Sequence, residues 1–176
     1  MRWVSIGSVG LGSLVAGSCV SPTSVYTGNH KPNEREIKMA KVIITDGGRA
    51  EAGFKGEASD CVARSVAIIA GREYREVYKE LAGLEAEVTG VKSARNGISK
   101  KVYKKYLADQ GFEWTPTMQI GQGTTVHLRS DELPAGRLLV SVTKHLTAMI
   151  DGVIHDTHDP SREGTRAVYG YWTQRV

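Results

Sequence analysis

The sequence predicts an α+β fold in which helices come first and a mostly antiparallel sheet follows. Three observations predict it. Between Cys61 and Gln110, apolar residues recur at helical spacing and the segments are closed by glycines. From Phe112 onward the runs are short, β-rich and bounded by turn residues. The two kinds of segment are segregated along the chain rather than alternating, which favours α+β over a parallel α/β sheet. The 176 residues are enough for one domain with a real core, and the composition is that of an ordinary globular protein.

Taken in order, Val42 to Thr45 is a β-branched run ended by the turn Asp46-Gly47-Gly48. Cys61 to Ala70 is apolar and free of Gly and Pro. Ser59 and Asp60 precede it as N-cap residues and Gly71 follows as a C′ residue, so a first helix is expected there. Arg72 to Ala82 reads as a second helix with Tyr74, Val77, Tyr78 and Leu81 as its stripe. The polar stretch Glu85 to Gly97 reads as a loop. Ile98 to Gln110 reads as a third helix, with Ile98, Val102, Tyr106 and Leu107 on the apolar face. Lys100, Lys101, Lys104 and Lys105 form the opposite face, a solvated surface or a contact for an anionic partner. Candidate strands are Phe112 to Trp114, Thr124 to Leu128, Leu138 to Val142, His145 to Ile150, Val153 to Thr157 and Ala167 to Trp172. Asp151-Gly152 between two of these is a two-residue hairpin signal.

Residues 1–39 stand outside this pattern. An apolar, Gly/Ser-rich run from Trp3 to Gly17 leads to Ala16-Gly17-Ser18-Cys19, similar to a lipoprotein cleavage box. Ser21 to Lys38 has linker character. The alternatives are a signal that anchors the chain to a membrane through Cys19, or an unstructured extension upstream of a natural start at Met39. The expected domain is 40–176. A net charge of +4 is too mild to argue for nucleic acid, so no nucleic-acid partner is expected. Two cysteines in unlike contexts do not make a disulfide framework.

Chemistry is expected at Cys61. In the first turn of a helix the backbone N–H groups are unpaired and the dipole favours an anion, so a thiolate is stabilised there. The neighbouring Asp60 is expected to oppose this. Burial as an inert space-filler is the other reading of a lone cysteine. A nucleophile needs a base and a group that orients it. Of the five histidines, His30 lies in the linker and His127 sits within a candidate strand as a structural or surface residue. His145 opens a strand. If Asp151-Gly152 closes the hairpin, Ile150 faces Val153, Thr147 faces Asp156 and His145 faces His158. His145, Thr147 and Met149 then share a face with Ile154, Asp156 and His158, and Asp156 is the diagonal neighbour of His145 at roughly 7–8 Å. Asp159 points to the other face. Metal is the competing use of these side chains. His155 and His158 point to opposite faces and there is no CxxC pair, so neither a metal nor another cofactor is expected.

The order Cys61, His145, Asp156 resembles the papain-like cysteine peptidase superfamily, in which the nucleophile starts a helix and His and Asn or Asp lie on adjacent strands of a following sheet. Asp60-Cys61-Val62-Ala63-Arg64 is similar to the nucleophile motif of ovarian-tumour-type deubiquitinases. A closer resemblance, over about residues 42 to 172, is to small phage and prophage proteins. It rests on Ile44-Thr45-Asp46-Gly47-Gly48-Arg49, Asp60-Cys61 with Arg64, Pro116-Thr117-Met118 with Ile120-Gly121, Lys144 to Ala148, Asp151 to Thr157, Asp159-Pro160-Ser161-Arg162 and Tyr169-Gly170-Tyr171-Trp172. The resemblance implies a papain-like fold and a thiol hydrolase of the bacterial cytoplasm, a peptidase or isopeptidase with Cys61 as nucleophile, His145 as base and Asp156 as orienter. Its substrate would be a protein or peptide, host proteins included. A thiol acyltransferase or amidase, or a phage-encoded binder with a vestigial site, would use the same fold. Papain-type enzymes place a Gln several residues before the Cys; here Phe54, Lys55 and Gly56 occupy that region, so the oxyanion donors must be backbone N–H groups near Cys61 or another side chain.

Overall fold

The computed structural model describes residues 38–174. The expectations for a cleavage box, for Cys19 and for His30 lie outside these residues. Among the described residues the elements are β1 (Lys41–Ile44), α1 (Cys61–Ala70), α2 (Tyr74–Thr89), α3 (Lys100–Asp109), β2 (Phe112–Pro116), β3 (Arg137–Val142), β4 (His145–Ile150), β5 (Val153–Asp156) and β6 (Gly170–Gln174). The fold is α+β, with three helices and one mixed six-stranded sheet of order β1-β5-β4-β3-β6-β2. All pairings are antiparallel except that of β1 with β5.

Strand alternation explains how both faces of the sheet are used. Leu139, Leu146 and Ala148 join α1, α2 and α3 in one buried cluster with Val66, Ile69, Val77, Leu81 and Leu107. Leu138, Val140, Met149 and Ile154 point to the other face, where Leu128, Leu133 and Val168 from the connecting segments cover them. Lys38 and Met39, assigned to the extension from sequence, meet the domain: the Lys38 carbonyl accepts from Ser130 N–H and Met39 bridges to Arg129.

Helix α1 has the expected bounds, and Gly71 ends it in the left-handed conformation at φ 62°. Helix α2 differs from expectation. It continues to Thr89, through a stretch read as loop. Gly83 is tolerated inside it, and Glu85, with which the stretch read as loop begins, is buried and accepts hydrogen bonds from Ser99 N–H at 2.9 Å and Ser99 Oγ at 3.1 Å. Its carboxylate thus caps α3, whose first turn holds no acidic residue and whose dipole calls for an anion. Helix α3 is correspondingly shorter than expected at its start, and the four lysines are exposed. The strand expected at Thr124 to Leu128 is absent; a single bridge, His127 to Ala167, stands in its place. Across that bridge the Leu128 N–H donates to the Arg166 carbonyl and the Val168 N–H to the Val126 carbonyl, while on the opposite edge the Glu132 carboxylate takes the His127 N–H and pairs with the ring at 3.1 Å. The last strand starts at Gly170 rather than Ala167. A Cβ at Gly170 would lie 2.4 Å from the Trp114 ring, so only glycine lets β2 and β6 close there.

Candidate active site

The start of α1 is held by a buried charge cluster. The Asp60 carboxylate is inaccessible to solvent and pairs with Arg49 Nε at 2.9 Å and Arg64 Nε at 2.9 Å, while the Tyr74 hydroxyl donates to it. Asp60 is the N-cap residue of α1 by position, yet its side chain makes no capping hydrogen bond. Instead it ties the helix start to the turn before it. Asp46 closes that turn by accepting from Gly48 N–H at 3.0 Å and Ala50 N–H at 2.8 Å, and Arg49 reaches onward to the carbonyls of Phe54 and Lys55. Gly47 lies against the helix; a Cβ there would meet the Arg64 carbonyl oxygen at 3.0 Å. The expected repulsion between Asp60 and a Cys61 thiolate is therefore balanced by two guanidiniums.

On the opposite side, α1 is fastened to β4, where Ser65 Oγ donates to the Leu146 carbonyl at 2.9 Å across 81 residues of chain. This bond sets Cys61 beside the first residue of β4, His145. The β4–β5 hairpin has the register that Asp151-Gly152 predicts. Both turn residues have positive φ, 48° and 79°, and Ile150 pairs with Val153, Met149 with Ile154 and Ala148 with His155. Extending that register brings Asp156 diagonal to His145, and the two side chains meet with His145 Nε2 to Asp156 Oδ2 at 2.7 Å. Asp156 is further held by Thr157, whose N–H donates to Oδ1 at 2.7 Å. With Nε2 engaged, Nδ1 is the ring nitrogen left for Cys61.

The three groups shift one another's proton affinity. Burial would raise the Cys61 thiol. The His145 ring, the backbone at Leu146 and the charge of Arg64 outweigh it, and the thiol titrates below its ordinary value. Burial would lower His145, but Asp156 and Cys61 outweigh it and raise the imidazole to about 9. Asp156 is held below the usual carboxylate value. Burial alone would lift it, but His145, Thr147 and the Thr157 N–H stabilise the anion. The directions agree with a thiolate–imidazolium pair oriented by a carboxylate.

Cys61 and His145 sit where two clefts meet. One, of about 510 Å³, has Val62, Ile98, Tyr103 and Tyr169 among its walls, with Lys100 and Asn96 at its margin. The other, of about 620 Å³, is polar and is lined by Arg49, Glu57, Arg64 and His158 among others. Ser59, Cys61, Lys144 and His145 border both. A further cleft of about 610 Å³, between the Gly47–Ala52 turn and the α1–α2 junction, touches none of the three residues.

The remaining candidates separate. Asp159 accepts from Ser161 N–H at 2.8 Å and takes no part in the cluster. His155 points away from His158, as strand alternation requires, and half-buried His127 serves the Glu132 contact. His158 does converge on the site: its ring lies 5.1 Å from that of His145. Sequence reasoning missed the Asp60 cluster, although the i, i+4 spacing of Asp60 and Arg64 was a signal for it. It also missed Tyr103, which continues the α3 stripe with Tyr106 and Leu107. Compared with protein-family models, with curated proteins and with solved structures, the chain shows no match. No helix among the described residues is long and apolar enough to cross a membrane.

Proposed function

We propose that the protein is a papain-like cysteine hydrolase, a peptidase or isopeptidase, with Cys61 as nucleophile, His145 as general acid and base, and Asp156 as the orienting residue. The observation that carries this reading is the His145 imidazole, fixed at 2.7 Å by a buried carboxylate on one side and turned to a helix-start cysteine on the other. An inert buried cysteine has no need of an oriented base.

In the proposed reaction the Cys61 thiolate attacks a substrate carbonyl and the C=O electron pair moves to oxygen. That oxyanion would be met by the unpaired N–H groups in the first turn of α1, which takes the place of the missing Gln. His145 gives its Nδ1 proton to the leaving amine as the C–N bond breaks, leaving a thioester. A water molecule then attacks the thioester, His145 takes its proton, and the acid is released with the thiolate restored. Asp156 stays ionised throughout and stabilises the imidazolium. The two clefts on either side of Cys61 give a polypeptide room to pass across the nucleophile.

The test is labelling by a thiol-directed acyl probe in a bacterial lysate and in purified form. Wild type should label at Cys61 and alkylate with iodoacetamide at pH 6 far faster than a model thiol, and Cys61→Ala should lose both labelling and turnover. Labelling no faster than a model thiol, with biological activity intact in Cys61→Ala, would replace the hydrolase by a binder on this fold.

A further inference from the structure

The proposed hydrolysis leaves one residue at the site unused. His158 is not required to orient His145, since Asp156 does so. Yet it is held beside the pair, its ring 5.1 Å from that of His145 and its Nδ1 3.8 Å from Asp156 Oδ1. The side chain is 61 % exposed and its one short contact, from Nδ1 to Thr157 Oγ1 at 3.3 Å, is to its own neighbour in the chain. One ligating atom from each of His145, Asp156 and His158 lies within 4.8 Å of the other two.

These distances suit a cation. Bonds of about 2.0–2.1 Å in tetrahedral geometry place ligand atoms about 3.3 Å apart. Here His145 Nε2 stands 2.7 Å from Asp156 Oδ2 and His158 Nδ1 3.8 Å from Asp156 Oδ1, so the two imidazoles face the two oxygens of one carboxylate. With one ligand atom of each residue within 4.8 Å of the other two, side-chain rotation alone can bring them to the tetrahedral spacing. The first two ligands sit on strands in fixed register, and the third is on the exposed segment just after β5, where it can swing in. Two imidazoles and a carboxylate match the ligand preference of zinc and similar transition metals, whereas magnesium and calcium prefer oxygen alone. Exposure of His158 leaves the fourth position to water.

We propose that His145, Asp156 and His158 form a binding site for a divalent transition-metal ion, Zn2+ in the first instance, and that its occupancy switches the hydrolase off. Binding rests on this geometry alone; the inhibition rests on the hydrolase reading above. The ion takes the Nε2 lone pair of His145, and the proton that sits between Nε2 and Asp156 leaves to solvent. Asp156 then coordinates the ion instead of orienting the ring. Held by the ion, His145 no longer exchanges protons with Cys61 and the leaving group. Catalysis stops without a bond between the ion and the thiol, and chelation of the ion restores it.

The experiment uses the full chain, stripped with a chelator and titrated with Zn2+ against a chromogenic zinc indicator. Wild type should bind one ion in this site with a micromolar Kd. Cys61→Ala should keep that affinity, whereas His158→Ala and the polar, similarly sized His158→Asn should each lose at least tenfold. Mg2+ should not compete. The proposal is overturned if both His158 variants bind as tightly as wild type, because the ion is then held elsewhere. It is equally overturned if Cys61→Ala abolishes binding, which would make the ion a thiolate ligand. In the turnover arm, Zn2+ above its Kd should slow wild type at least tenfold, reversibly, and the His158 variants should need at least tenfold more. Binding with no turnover on any acyl substrate would sink the hydrolase reading and leave the site standing; binding with turnover that Zn2+ does not slow would sink the inhibition.

Discussion

Replacing Asp156 separates the triad from its alternatives most sharply. Asp156→Ala removes a charge-assisted hydrogen bond of 2.7 Å to His145, from a carboxylate whose side chain is 6 % exposed. Hydrogen bonds to charged groups contribute about 1.5–3 kcal/mol. At about 1.4 kcal/mol per decade, the loss corresponds to a roughly 10- to 150-fold slower reaction of Cys61. Asp156→Asn keeps the acceptor oxygen and the contact with Thr157 but not the charge, so it should fall by about tenfold or less. Asp159→Ala touches only the Ser161 N–H and should change little. The assay is the second-order rate of Cys61 alkylation at pH 6, with turnover where a substrate is in hand, each beside a melting curve that shows the variant folded. Asp156→Ala alkylating at the wild-type rate while folded would refute the reasoning, as would a loss confined to Asp159→Ala.

The other predictions concern the supports of the site. Asp60→Ala strands Arg49 and Arg64 in a buried place, and breaking such a cluster costs about 3–5 kcal/mol, so denaturant melts should show a large loss of stability and Cys61 reactivity should fall with it. With a chelator present, alkylation should persist at pH values below the ordinary thiol range because the Cys61 thiol is lowered. Turnover should decline as pH rises through about 9, where His145 loses the proton it must donate, and Asp156→Ala should move that decline to lower pH. Changing Lys100, Lys101, Lys104 and Lys105 together to Gln should shift Tm by only a few degrees, the losses being the exposed Lys105–Asp109 ion pair at 2.6 Å and the contact of Lys104 with the Trp114 ring at 5.7 Å. A shift of tens of degrees would mean that the lysine face is not simply solvated.

Much of the fold was legible because its signals are local. Helix α1 ends at Gly71, whose left-handed conformation is a local signal, although Arg137 of β3 also donates to the Ile68 and Ile69 carbonyls. The β4–β5 hairpin is also local. Two residues with positive φ fix the register, and the register alone makes Asp156 the neighbour of His145. The apolar period identified most of the buried face of α2 and of α3, though not Tyr103. Where the reading failed, a distant partner had overridden a local preference. The stretch from Glu85 reads as loop because it is polar and leads to the breakers Gly90 and Asn96-Gly97, and Gly83 inside the helix costs some stability. Both are accepted because Glu85 finds Ser99 and an anion-seeking helix start 14 residues on. Thr124 to Leu128 has strand character, but only its end pairs: Val126 and Leu128 bond the backbone at Val168 and Arg166, while the Thr125 hydroxyl donates to the Thr117 carbonyl.

The candidate site divides the same way. From sequence alone came a cysteine at a helix start, a histidine opening a strand, and a carboxylate two residues short of facing it, each by rules of spacing. Nothing in the sequence joins the first to the other two. That union depends on the Ser65 bond to Leu146 across 81 residues and on Asp60 finding Arg49 and Tyr74 across the fold. The proton affinities were decided there too. They depend on burial and on the charges that packing brings near, so Asp60, which reads as an opponent of the thiolate, is neutralised by two arginines once the chain is folded.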